Sequence, residues 1–136
     1  MTTVARGIGG LMMVYSALYL AQFLFSPLYD NPQRVWDVMN VISGLGILVA
    51  LVVNLRRMNS QSDGNPMLRR GVHTLFYANA ALAIWFFHNW ISLLTLETGE
   101  STSVHHEVVW QLIAMMIPLV LATTGWSLWR ENFRQP

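Results

Sequence analysis

Four long apolar stretches, at residues 7–26, 38–55, 71–96 and 104–129, alternate with three short polar segments. None carries Asp, Glu, Lys or Arg in its interior. Each is long enough to cross a hydrocarbon core as a helix, which takes about 20 apolar residues for ~30 Å. The stretches lack the polar stripe that a helix of a water-soluble bundle shows to solvent. Tyr29, Trp36, Trp90, Trp110, Trp126 and Trp129 lie near their ends, as in an interfacial aromatic belt. The pattern therefore predicts an all-α integral membrane protein, one domain over residues 1–136.

The connecting segments are short. Pro27 and Pro32 fall in 26–37, the run Asp63-Gly64-Asn65-Pro66 marks a turn in 56–70, and Gly99 with hydroxyl residues breaks 96–103. Short connections make consecutive helices antiparallel neighbours, so the expected architecture is an up-down bundle of four transmembrane helices.

Composition agrees with this reading. Hydrophobic residues make up 54% and charged residues 11% of the 136-residue chain, too few charges to cover a soluble domain. A net charge of +1 without a basic stripe argues against nucleic-acid binding. The absence of cysteine removes disulfides, thiolate metal sites and thiol catalysis. The first stretch is too long for a signal peptide and has no clean small-x-small cleavage site, so it is expected to remain as a helix.

Charge then orients the bundle. Arg6, Arg56, Arg57, Arg69, Arg70, Arg130 and Arg134 fall on one side and Arg34 on the other. By the positive-inside rule both termini and the 56–70 loop are expected in the cytoplasm, most naturally of a bacterial inner membrane. Asp30, Asp37, Glu97, Glu100 and Glu107 give the opposite face an acidic character.

Polar residues inside the spans are mild: Ser16, Gln22, Asn40, Ser43, Asn54, Asn79, Thr123 and Thr124. Asn40, Ser43 and Gly44 share one face of the second helix, and Gly7 and Gly10 one face of the first. Such faces suit close helix packing and interhelical hydrogen bonds. Asn79 and His88 are nine residues apart and point to opposite sides of the third helix. Pro118, midway along the fourth, removes one backbone donor and frees the carbonyl of Ala114.

The sharpest chemical candidates are on the acidic side. His105, His106 and Glu107 open the fourth helix and are candidate metal ligands, while His88 is a candidate cofactor ligand. Histidine with carboxylate can hold copper, and paired histidines can hold haem. Depth divides them: His88 is 18 residues from Arg70, about 27 Å, and His106 is 24 residues from Arg130, about 36 Å. His88 is therefore expected to turn inward to Gln111 or Asp37, leaving His105 and His106 in interfacial water. Ser101, Thr102 or Ser103 can cap the fourth helix, with Glu107 in its first turn.

With short loops and no Asp, Glu, Lys or Arg deep inside the spans to carry protons or ions, the leading expectation is a non-catalytic accessory or assembly subunit of a larger membrane protein complex. It would contact the lipid bilayer and other membrane subunits, or self-associate. The alternatives are an outer-face metal- or haem-binding redox protein using His88, His105 and His106, and a small-molecule or lipid carrier lined by Asn40, Ser43, Tyr77 and Asn79.

Overall fold

A computed structural model describes residues 2–60, 65–95 and 104–131, with the side chains of 2, 104–106 and 131 outside that description. The chain forms four α-helices, α1 (Thr2–Phe25), α2 (Gln33–Ser60), α3 (Pro66–Thr95) and α4 (Val104–Glu131), with a short 3-10 turn at Ser26–Leu28. No strand occurs among the described residues. The all-α up-down bundle expected from the apolar pattern is present.

Helix ends follow local chemistry. Pro27 and Pro32 break the chain between α1 and α2, and Asn31 takes the left-handed backbone (φ 62°) that an asparagine tolerates. Pro66 begins α3, where its missing N–H is no loss, and the Asn65 side chain accepts from the Met67 N–H at 2.9 Å. Arg56, Arg57, Arg69 and Arg70 are helical rather than in a loop, because α2 runs on to Ser60.

Three helices are long and apolar enough to cross a membrane: Thr3–Leu28, Gln33–Ser60 and Glu107–Arg130. α3 falls outside this group on composition, not on length. This helix has 30 residues, but Arg69, Arg70, His73, Asn79, His88 and Asn89 dilute its apolar character. It turns Asn79 and Asn89 toward its neighbours, where both are buried.

Packing is uneven around the bundle. α1 lies most closely on α4 and α2 on α3, with α4 also touching α2 and α3. Gly9 of α1 and Gly125 of α4 bring those backbones together: a β-carbon on Gly9 would lie 2.7 Å from the Gly125 carbonyl oxygen. The small-residue face of α1 is thus at Gly9 and Gly10, not at Gly7 and Gly10; Gly7 has open space around it. Gly44 makes room in α2 for Phe86, Phe87 and Trp90 of α3. Against α2, α1 makes its contacts through large side chains. Tyr19 stacks edge-on to Trp36 with ring centroids 5.4 Å apart.

The bundle is apolar on the outside. Leu11, Leu18, Leu24, Leu45, Ile84 and Leu119 are each at least 60% exposed, while Ser16, Asn40, Ser43, Asn54, Asn79 and Thr124 are buried. A contiguous apolar exterior is unsustainable in water and matches hydrocarbon. Lipid contact supplies no drive to hide leucine, so small and hydrogen-bonding residues share the interhelical contacts with large apolar side chains such as Leu82, Phe86 and Ile113.

Candidate functional site

One end of the bundle gathers arginine. Arg6 of α1 sits over the Trp129 ring of α4, 5.3 Å from its centroid. Arg57 of α2 donates from Nη1 to Ser127 Oγ at 2.8 Å, and Ser127 in turn donates to the Thr124 carbonyl at 2.7 Å. A cavity of about 430 Å³ opens here between α2, the start of α3 and α4, lined by Arg57, Asn65, Leu68, Val72, Leu75 and Ser127.

Further in, Asn54 Nδ2 donates to Thr124 Oγ1 at 3.0 Å. The remaining Asn54 oxygen and both amide atoms of Asn79 are buried without a hydrogen-bond partner. Beyond them lies a dry layer, with Ile47, Leu82, Ile113, Ile117 and Leu121 at most 1% exposed.

Past that layer polar groups return. The Tyr15 hydroxyl donates to the Met39 carbonyl at 2.8 Å and lies 2.7 Å from Ser43 Oγ. A phenol has one proton, so the serine hydroxyl is the donor in the second bond. This pair ties α1 to α2 where their backbones stand apart.

Above it opens the second cavity, of about 400 Å³. Tyr19 and Phe23 of α1, Gln33, Trp36 and Asn40 of α2, and Leu93 of α3 form part of its wall. Glu107, Trp110, Gln111 and Ala114 of α4 complete it. Helical periodicity explains the set: Tyr19 and Phe23, Trp36 and Asn40, and Glu107, Gln111 and Ala114 each recur at three or four residues on one helix face. Trp110 is braced from behind by Phe86, its ring centroid 6.0 Å away. Two features bias the electrostatics. Among the described residues, neither Lys nor Arg lines the cavity, and one carboxylate, Glu107, does. Ala114, at its inner end, is the residue whose carbonyl Pro118 deprives of a helical donor.

The candidate residues separate in space. His88 is exposed on the outer face of α3 rather than turned to Gln111 or Asp37. Asp37 instead accepts from Gln33 Nε2 at 2.9 Å, and Gln111 points toward the cavity. The physical reason is angular: Asn79, Leu82, Phe86 and Asn89 occupy the inward face of α3, and His88 lies on the opposite side. The opposition of Asn79 and His88 expected from their spacing holds. Glu107 is exposed and borders the cavity. The side chains of His105 and His106 lie outside the described residues, so the copper or haem reading of that trio remains an expectation. Among the described residues, no group of three His, Asp or Glu side chains could hold a metal ion.

The carrier set also divides. Asn40 lines the outer cavity, Ser43 is engaged by Tyr15, Tyr77 is 62% exposed and Asn79 is fully buried. Tyr15, Tyr19, Gln33 and Gln111 were not legible as site residues. The available signal was the four-residue spacing of the two tyrosines inside an apolar stretch.

No protein-family model, curated protein or solved structure matches this chain.

Proposed function

We propose that this chain is a non-catalytic accessory or assembly subunit of a larger membrane protein complex, and that α3 is its docking helix. The observation that carries the reading is the exposure of His88 on α3. An ionisable side chain within a membrane helix usually faces protein or water, because hydrocarbon leaves its polar atoms unpaired. His88 faces neither inside this bundle. Around it the same helix exposes Tyr77, Ile84, Trp85 and Ile91, a surface of large side chains with two polar tips. The proposed partner is another membrane protein presenting an acceptor or donor to His88.

The proposed setting is a bacterial inner membrane with the arginine end in the cytoplasm. The clustering of Arg6, Arg57 and Arg130 at one end supports this orientation through the positive-inside rule.

The test is size-exclusion of mildly solubilised native membranes, with mass spectrometry and visible absorption across the peak. The expected result is co-migration with larger membrane subunits, lost in His88→Leu while the variant's own unfolding is unchanged. A small homo-oligomer, identical in wild type and His88→Leu, would overturn the accessory role. A metal or haem signal belonging to the chain itself would transfer weight to the redox alternative.

A further inference from the structure

We propose that the cavity at the acidic end of the bundle is a binding site for an alkylammonium cation carrying a short apolar chain. Its volume of about 400 Å³ lies within the range of ordinary small-ligand sites, about 300–1,000 Å³. Its wall is chemically selective. Tyr19, Trp36 and Trp110 present aromatic rings, whose faces attract a cation through their quadrupole. Glu107 places a carboxylate at the same wall, and among the described residues no Lys or Arg lines the cavity to oppose a ligand of positive charge. An ammonium carrying methyl groups needs these features and few hydrogen bonds. An inorganic cation would need several oxygen ligands in one shell instead.

The apolar part of the ligand has its own place. Phe23 and Leu93 belong to the wall, on helices whose neighbouring residues Leu24 and Leu94 are 66% and 72% exposed on the apolar exterior. An apolar chain laid against Phe23 and Leu93 would meet apolar side chains. The rings are held in position before a ligand arrives: Trp36 by Tyr19 at 5.4 Å, and Trp110 by Phe86 at 6.0 Å. Pre-positioned aromatic groups reduce the ordering cost of binding. The same chemistry belongs to the amine headgroup of a membrane lipid and to a free amphiphilic amine.

The site contains two of the chain's six tryptophans, so their fluorescence reports on it. The experiment titrates hexyltrimethylammonium into the full chain held in phosphatidylglycerol nanodiscs, with hexanol as the neutral control. The expected result is a saturable change with the cation and none with hexanol. Affinity should weaken roughly tenfold in Glu107→Gln and in Trp110→Leu, a loss of the size that one charge or one ring contributes. Glu107 is exposed, so its substitution leaves folding intact even if the tryptophan variant fails to fold. Repeating the titration in nanodiscs containing phosphatidylethanolamine separates the sources. Weaker apparent binding marks the lipid amine as occupant, and unchanged binding marks a free amine. An equal response to hexanol, or wild-type affinity in Glu107→Gln, would overturn the proposal.

Discussion

Gly9 of α1 and Gly125 of α4 face each other so closely that a β-carbon on either would lie 2.7 or 2.6 Å from the other's carbonyl oxygen. Both obstructing atoms are backbone, so neither can rotate away. Gly9→Ala and Gly125→Ala should each force α1 from α4 and destabilise the bundle by roughly 1–3 kcal/mol, the usual cost of overpacking. Gly7→Ala meets nothing within 4 Å and should be neutral or slightly stabilising. Denaturant unfolding of the three variants in one detergent checks the contrast. Equal behaviour of Gly7→Ala and Gly9→Ala would remove the close approach as the cause.

The Tyr15–Ser43 bond should be separable from packing. Tyr15→Phe keeps the ring and loses both hydroxyl contacts, and Ser43→Ala loses one of them. Each should cost on the order of 1 kcal/mol. The double variant should cost less than the sum, with a coupling near the ~0.6 kcal/mol typical of interhelical hydrogen bonds in membranes. Strict additivity in a double-mutant cycle would show that the two groups do not interact.

Asn79 gives the opposite sign. Its side chain is fully buried and both amide atoms lack a partner, so replacing it with an apolar group of similar size removes a desolvation cost. Asn79→Leu should raise stability by roughly 1–3 kcal/mol. Asn54→Leu should not, because it breaks the 3.0 Å bond to Thr124. Thermal unfolding of the two variants decides it, and destabilisation by Asn79→Leu would mean that its amide is satisfied in the folded protein.

Orientation can be read chemically because the chain has no cysteine. Single substitutions Asp30→Cys and Ser60→Cys place one thiol at each end of α2's flanks, on opposite sides of the bundle. A membrane-impermeant maleimide applied to intact cells should label Asp30→Cys and spare Ser60→Cys until the membrane is opened. The reverse pattern would invert the proposed topology.

Much of the bundle was legible before its structure. Four helices, their order, and the separation of Arg6, Arg57 and Arg130 from Glu107 follow from runs of apolar residues and their charged flanks, because length and charge are properties of the linear chain. The burial of Ser43, Asn54 and Asn79 was also foreseen, since polar groups inside such runs avoid lipid, but Thr123 of the same set is exposed and satisfies its hydroxyl on the Leu119 carbonyl of its own helix. Less was legible of the site. His88 could be placed opposite Asn79 by its spacing, yet which of the two faces inward depends on where α2 and α4 lie. Likewise Gly9 rather than Gly7 marks the tight contact, because only the position of α4 distinguishes one glycine face from another.

By itself, the sequence determined that this is an apolar all-α protein with a cationic end and an acidic end. It also determined which residues could form hydrogen bonds inside it. Tertiary structure alone decided the rest: that α1 pairs most closely with α4, that His88 faces outward, and that Tyr19, Trp36, Trp110 and Glu107 border one cavity. The reason is physical. Periodicity assigns each side chain an angle on its own helix, whereas a site is a relation between helices, set by the rotation and approach that packing selects.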